Sequence, residues 1–321
     1  MGSHPASRTA SLLGLRKLFG GSLQLSAERW ISMAIIVEKF DGRQEPFDRR
    51  KLLWSARHMG ATEDVAEEAV RIVEKQAYNG ITTLQLAHLL QRALQRFPTL
   101  ARYAVNLRVA LAQVNPYPDF EIFVRELLKR AGYRVQSGGV VRGLCTEHEI
   151  DGVLEAEGET LVLEVKHHEE YHTETNLDVV RIARALLEDL QEGAASGISP
   201  FSPTGVVIAS NTKLSPQAAE YARCRKLRFL GWFTPPQENL NTLIQRHTCY
   251  PVTIINGLHP REYGVLSKAG IVVLEDLISR SLDDLHRLTH IPKDRLALLS
   301  ARAKDILGFK LPQSPSPLLT R

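Results

Sequence analysis

Glu147–Glu170 reads EHEIDGVLEAEGETLVLEVKHHEE, and it holds an apolar strand that carries a carboxylate and an ammonium two residues apart. Side chains of a strand alternate between faces, so Leu161, Leu163 and Val165 point one way and Val162, Glu164 and Lys166 the other. A turn at 156–159 makes this strand one arm of a hairpin whose other arm carries Asp151, so the charged groups lie roughly 5–10 Å apart. The carboxylates of Asp151 and Glu164, with the main-chain carbonyl of Val165, form an oxygen-rich set suited to Mg²⁺ or Mn²⁺. Lys166 beside them is placed to orient a water or to stabilise charge growing on a phosphate.

Outward from this hairpin, Phe120, Phe123, Leu127 and Leu128 mark a helix that closes at Gly132, and Tyr133–Val135 opens a strand. Downstream come a helix over 176–192, the buried strand TGVVIAS, a helix over 216–226 and the strand LRFLGWF. The order αβββαβαβ over 116–235 predicts an α/β domain with a mixed central sheet. Asp-x₁₂-Glu-x-Lys across the hairpin, with Gly143, His148-Glu149-Ile150-Asp151, Leu163-Glu164-Val165-Lys166 and Phe120-Glu121 on the preceding helix, resembles the PD-(D/E)XK nuclease superfamily, and within it the Mrr-like restriction endonucleases. The resemblance implies Asp151 and Glu164 as metal ligands, Lys166 as the catalytic lysine and Glu121 as a further acid. His148, His167, His168 and His172 cluster in the same stretch, but adjacent strand residues point oppositely, so at most a subset converges.

Over 33–115, Asp41-Gly42 is a hairpin signal between short apolar flanks, Asp48 suits an N-cap, and four helices follow, the later three over 63–78, 84–97 and about 99–114, with a capping Thr in NGITT. Val37-x-Lys39-x-x-Gly42, Phe47, Lys51, Gly80-Ile81-x-Thr83 and Ala101-Arg102-Tyr103 resemble the ATP-cone, a nucleotide-binding regulatory domain. That likeness implies ATP or dATP as an allosteric ligand. Lys39 and Lys51 would meet phosphates, and Val37, Glu45, Asp48 and Thr83 would lie near base, ribose or phosphates. Phe40 stands where the family carries arginine, so one guanidinium is missing from the grip.

Residues 236–308 read as several short helices, and Gly257-Leu258 with Ala269-Gly270-Ile271 resembles tandem helix-hairpin-helix units, which hold DNA phosphates through backbone amides. The Ser- and Arg-bearing leader 1–32 and the Pro- and Ser-rich end 309–321 predict disorder.

The 321 residues, 44% of them apolar, suffice for a multidomain α+β protein, and no apolar run reaches the length of a membrane span. Three scattered cysteines, without a CxxC, favour a reducing cytoplasm over a disulfide framework or a zinc ribbon. The net charge of +4 conceals an acidic middle of −5 over 116–235. No GxxxxGK[ST] loop is present, which argues for nucleotide as signal rather than fuel. The combined expectation is an Mg²⁺-dependent DNA endonuclease governed by ATP or dATP, working as a homo-oligomer without a membrane. The alternatives are a nucleotide-responsive DNA-binding regulator with a non-catalytic nuclease fold, and a structure-specific resolvase or repair nuclease.

Overall fold

A computed structural model describes residues 35–39, 42–59, 61–97, 105–156 and 158–308. The leader, the Phe40-Asp41 pair, the Ala101-Arg102-Tyr103 segment and the tail from 309 lie outside the described residues.

The N-terminal unit opens with β1 (Ile36–Glu38) and β2 (Gln44–Pro46), paired antiparallel in the predicted hairpin with Gly42 at φ 77°. Asp48 caps α1 (Arg49–His58) by accepting the Arg50 N–H at 2.9 Å. Next come α2 (Glu63–Glu74) and β3 (Ile81–Thr82), which lies parallel to β1, and then α3 (Thr83–Leu94). Thr82 and Gln85 close a capping box at the start of α3. Ala56, Ala66, Ala69, Val70, Val73, Ile81 and Leu90 give this unit its own small core. α4 (Leu107–Ala112) and a π-helical turn at Pro116–Phe120 lead out of it.

The middle region follows the expected order: α5 (Glu121–Arg130), β4 (Arg134–Arg142), β5 (Glu147–Ala156), β6 (Glu159–Lys166), α6 (Leu177–Ala195), β8 (Gly205–Ser210), α7 (Pro216–Cys224) and β10 (Arg228–Leu230). β7 (Glu174–Thr175) and β9 (Lys213–Leu214) add a two-strand parallel ladder. The sheet order is β10-β8-β6-β5-β4, antiparallel through β4-β5-β6 and parallel through β6-β8-β10, which makes it mixed. Val162, Val206 and Ile208 pack on Val180, Ala183, Leu187 and Leu190, the helical stripe of α6. Leu161 and Leu163 face the opposite way, onto Phe120, Phe123 and Leu127.

β4 runs well past the short strand expected at Tyr133–Val135, and it passes β5 with almost no space between their backbones. A Cβ on Gly138 would sit 1.7 Å from the Ile150 carbonyl oxygen, whereas one on Gly139 would meet nothing within 4 Å. Near that point the ribbon turns: Val135 packs with the α5-side core and Val141 with the α6-side core, although both are odd-numbered residues of one strand.

Residues 236–308 form α8 (Leu240–Arg246), a 3₁₀ turn at Val252–Ile254, α9 (Pro260–Lys268), α10 (Leu274–Ile278), α11 (Leu282–Thr289) and α12 (Lys293–Gly308). Just before the 3₁₀ turn, Pro251 bridges Val273 in an antiparallel pairing. Leu266, Leu274, Leu277, Leu285, Leu296 and Ile306 join Phe120, Phe123 and Leu163 in one continuous core, so these helices cover one face of the sheet. Tyr263 donates to Asp119 at 2.6 Å, and Arg130 pairs with Glu275 at 2.6 Å, fixing the helices to α5 and the turn before it.

Candidate active site

β5 and β6 pair from Ala156↔Glu159 to Gly152↔Leu163, and their register goes no further. One residue on, Asp151 Oδ2 accepts the Val165 N–H at 2.6 Å, so a carboxylate occupies the place of the next ladder bond. The N–H and C=O of one strand residue lie on the same edge, which turns the Val165 carbonyl toward the same gap. The strands therefore splay where the sequence places its charged groups.

Three carboxylates feel one another across this gap. Burial first, and then Asp151 and Glu121, push Glu164 up to about 7, with Lys166 acting in the opposite direction. Burial also raises Asp151, against the pull of the Val165 N–H, Arg125 and Lys166. Glu121 is raised by burial and by Asp151, while Arg125 opposes the shift. Glu121, Asp151, Glu164 and Lys166, separated by up to 45 positions in the chain, thus share one electrostatic site. Lys166 is its exposed member.

Arg125 belongs to this set, although the sequence reading passed over it. Its Nη1 donates to the Asp151 carbonyl at 2.7 Å and to Glu121 Oε2 at 3.3 Å, and its side chain is 17% exposed. The available signal was the i,i+4 spacing of Glu121 and Arg125 on a helix. Gly152, next to Asp151, lies close to both neighbouring strands: a Cβ there would sit 3.1 Å from the Gln136 carbonyl oxygen and 3.3 Å from Leu163 Cδ2, with Arg125 Cδ in ordinary contact at 3.5 Å.

The four histidines disperse. His148 pairs with Asp189 of α6 at 2.7 Å, and that carboxylate also accepts the Cys145 N–H at 2.8 Å, which pins the β4–β5 turn to the helix. These donors, the Cys145 N–H foremost, hold Asp189 well below the usual carboxylate range. His167 bonds the Leu111 carbonyl of α4 at 2.9 Å and sits edge-on to Phe120. His168 reaches the Thr175 hydroxyl at 3.1 Å, and His172 lies against Tyr171. Among the described residues no three His, Cys, Asp or Glu side chains gather closely enough to hold a metal ion by themselves. The gap offers two carboxylates and a main-chain carbonyl, all oxygen donors. That donor chemistry fits a hard divalent cation.

A second constellation forms in the N-terminal unit. Val37, Lys39, Glu45, Asp48, Lys51 and Thr83 all line one cavity of about 150 Å³. Glu45 Oε2 holds both lysines, Lys51 at 2.8 Å and Lys39 at 3.2 Å, and they lower its pKa. Thr83 donates to the Glu38 carbonyl at 3.3 Å. Two ammonium groups converging on one carboxylate oxygen form a compact anion-binding corner.

No family model matches the chain. An uncharacterised protein of Archaeoglobus fulgidus is 29% identical over 182 residues, which make up 57% of this chain and 98% of that one. The crystal structure of AF1548, a protein of unknown function, aligns with TM-score 0.49 and 27% identity over 63% of this chain and 99% of that one. A repair endonuclease from Pyrococcus abyssi aligns with TM-score 0.25 and 12% identity over 36% of this chain and 46% of that one. None of the three carries an activity to this chain: two are uncharacterised, and the third aligns over less than half its own length. What stands without them is a mixed α/β protein of several packed units with a carboxylate-rich gap in its central sheet. Among the described residues no helix is long and apolar enough to cross a membrane.

Proposed function

We propose that the chain is a divalent-metal-dependent endodeoxyribonuclease tuned by a nucleotide in the N-terminal cavity. The observation that carries this reading is the meeting of Glu121, Asp151, Glu164 and Lys166 where β5 leaves β6. Asp151, Glu164 and the Val165 carbonyl would hold Mg²⁺ or Mn²⁺, which when bound offsets charge on the scissile phosphate and eases deprotonation of water. The chain's own part is arrangement. Asp151 is oriented by the Val165 N–H, and Arg125 keeps Glu121 and the Asp151 backbone in place. Lys166, exposed at the rim, carries the positive charge that would orient the attacking water and stabilise the phosphate oxygens as the P–O bond to the leaving sugar oxygen breaks. The six residues of the N-terminal cavity support ATP or dATP as the effector, with Lys39 and Lys51 exchanging Glu45 for phosphate oxygens.

The test incubates plasmid, branched and methylated DNA with Mg²⁺, with and without ATP or dATP, using wild type and Lys166→Ala. Cleavage by wild type that stops in EDTA and falls about 100-fold or more in the variant supports the assignment. Equal cleavage by both proteins, or none by either on any substrate, overturns it, and DNA binding without cleavage would leave a nucleotide-responsive regulator.

A further inference from the structure

β6 and β8 run parallel in register from Leu161↔Gly205 to Lys166↔Ser210, and there the ladder ends. Lys166 is thus the last residue of β6 that the sheet holds. Two residues on, a side chain takes over from the backbone. Asn211 Oδ1 accepts the His168 N–H at 2.9 Å, and Asn211 Nδ2 donates to the His168 carbonyl at 2.7 Å. The carboxamide offers one acceptor and one donor to the two main-chain groups of a single residue, as a neighbouring strand would.

The surroundings of Asn211 lock it in this clasp. It is 1% exposed and stands between Ser210 and Thr212, both fully buried. Their hydroxyls close a ring with that of buried Thr175: Thr175 lies 3.1 Å from Ser210 and 3.1 Å from Thr212, and Ser210 lies 3.3 Å from Thr212. The His168 imidazole joins the ring at Thr175, 3.1 Å away. None of these side chains leaves a buried polar atom unpaired, and a buried network satisfied in this way is rigid.

Lys166 depends on such support. Asp151 and Glu164 feel its charge, yet among the described residues its exposed ammonium makes no hydrogen bond or ion pair. A flexible four-carbon stem with a free tip is aimed chiefly by its main chain. Misplacing a reacting group by about 1 Å can cost on the order of 100-fold in rate.

We propose that Asn211 is a positioning residue for Lys166: by holding both main-chain groups of His168, it fixes the chain just beyond the lysine and with it the path of the stem into the carboxylate gap. The consequence for cleavage rests on the proposed nuclease activity, whereas the placement itself does not.

The full-length protein is compared as wild type, Asn211→Asp and Thr289→Val. Aspartate keeps the shape and the acceptor for the His168 N–H but sets a second oxygen against the His168 carbonyl. Thr289→Val removes a buried hydroxyl at the end of α11, which donates to the Leu285 carbonyl at 2.6 Å, and is the control for lost stability. Plasmid cleavage in Mg²⁺ gives kcat and KM. Competitive acetylation read by peptide mass spectrometry gives the reactivity of Lys166 against that of exposed Lys129. Asn211→Asp should lower kcat about tenfold or more with KM within about twofold, because a misaimed group is felt in the chemical step. Lys166 reactivity should change about threefold or more while Lys129 stays constant, since the free-amine fraction follows the charges around the ammonium. Thr289→Val should leave both readouts as in wild type. Equal falls of kcat in Asn211→Asp and Thr289→Val would reduce Asn211 to a structural residue and overturn the proposal, as would unchanged Lys166 reactivity in Asn211→Asp. Asn211→Ala, which buries no new charge, carries the same comparison if the aspartate variant does not fold. The labelling needs neither DNA nor nucleotide. If wild type cleaves nothing, the nuclease reading falls and Lys166 reactivity still decides the placement, with the N-terminal cavity entering neither result.

Discussion

Asp151 Oδ2 takes the Val165 N–H at 2.6 Å in place of a strand-to-strand hydrogen bond, so one carboxylate both ends the β5–β6 ladder and faces the candidate metal site. The two roles separate by substitution. Asparagine keeps an oxygen for the N–H but loses the charge, so Asp151→Asn should hold its unfolding free energy within about 1 kcal/mol while cleavage falls on the order of 10²-fold. Asp151→Ala strands the N–H and should cost about 1–3 kcal/mol in addition. Urea denaturation beside a plasmid-cleavage assay checks both. Equal stability of the two variants would remove the structural role.

Glu164 makes stability depend on pH in a definite direction. Burial and two neighbouring carboxylates raise it from an ordinary 4.5 to about 7, so the folded chain holds this proton more tightly than the unfolded chain. Its stabilising contribution is complete below pH about 4.5 and is lost as pH rises to about 7. In EDTA, Glu164→Gln should therefore gain on wild type by on the order of 3 kcal/mol between pH 5 and pH 8. Urea melts at the two pH values measure this. A difference that does not change with pH would show that burial and its neighbours do not raise Glu164.

Much of this arrangement was legible in the sequence because it rests on short-range periodicity. Alternation along β6 placed Glu164 and Lys166 opposite Leu161 and Leu163, and the two faces do carry separate cores. Asp48 and Thr82 announced their helix starts by residue type. What escaped was set by contacts without local pattern. Arg125 looks like any helical arginine until Asp151, 26 positions away, supplies the carbonyl it binds. His148 finds Asp189 across 41 positions, and the two-residue strands β7 and β9 are too short to show alternation. The helices after 236 carry an ordinary amphipathic signal that does not reveal which surface they cover.

Gly138 and Gly139 offer a sharp contrast at adjacent positions. Alanine at 138 drives its Cβ into the Ile150 backbone, which cannot rotate away as a side chain can, while alanine at 139 enters open space. Gly138→Ala should destabilise by about 3 kcal/mol or more and displace the β5 backbone leading into Asp151, whereas Gly139→Ala should stay within about 0.5 kcal/mol of wild type. Thermal denaturation of the pair decides this, and similar melting of the two variants would mean that β4 and β5 lie farther apart than described.

The nucleotide proposed for the N-terminal cavity would compete with Glu45. This carboxylate is the counter-ion of both Lys39 and Lys51, so a phosphate would have to displace it to reach the lysines. Glu45→Gln removes that competitor while keeping a hydrogen-bonding group, and it should tighten ATP or dATP at this site by several-fold. Lys51→Ala should weaken binding about tenfold or more, since a charge-assisted contact to phosphate contributes about 1.5–3 kcal/mol. Calorimetric titration of the two variants against wild type supplies the comparison. If Glu45→Gln weakens the nucleotide as much as Lys51→Ala does, Glu45 contacts the ligand directly, and its ion pair with the lysines belongs to the bound state as well as the free one.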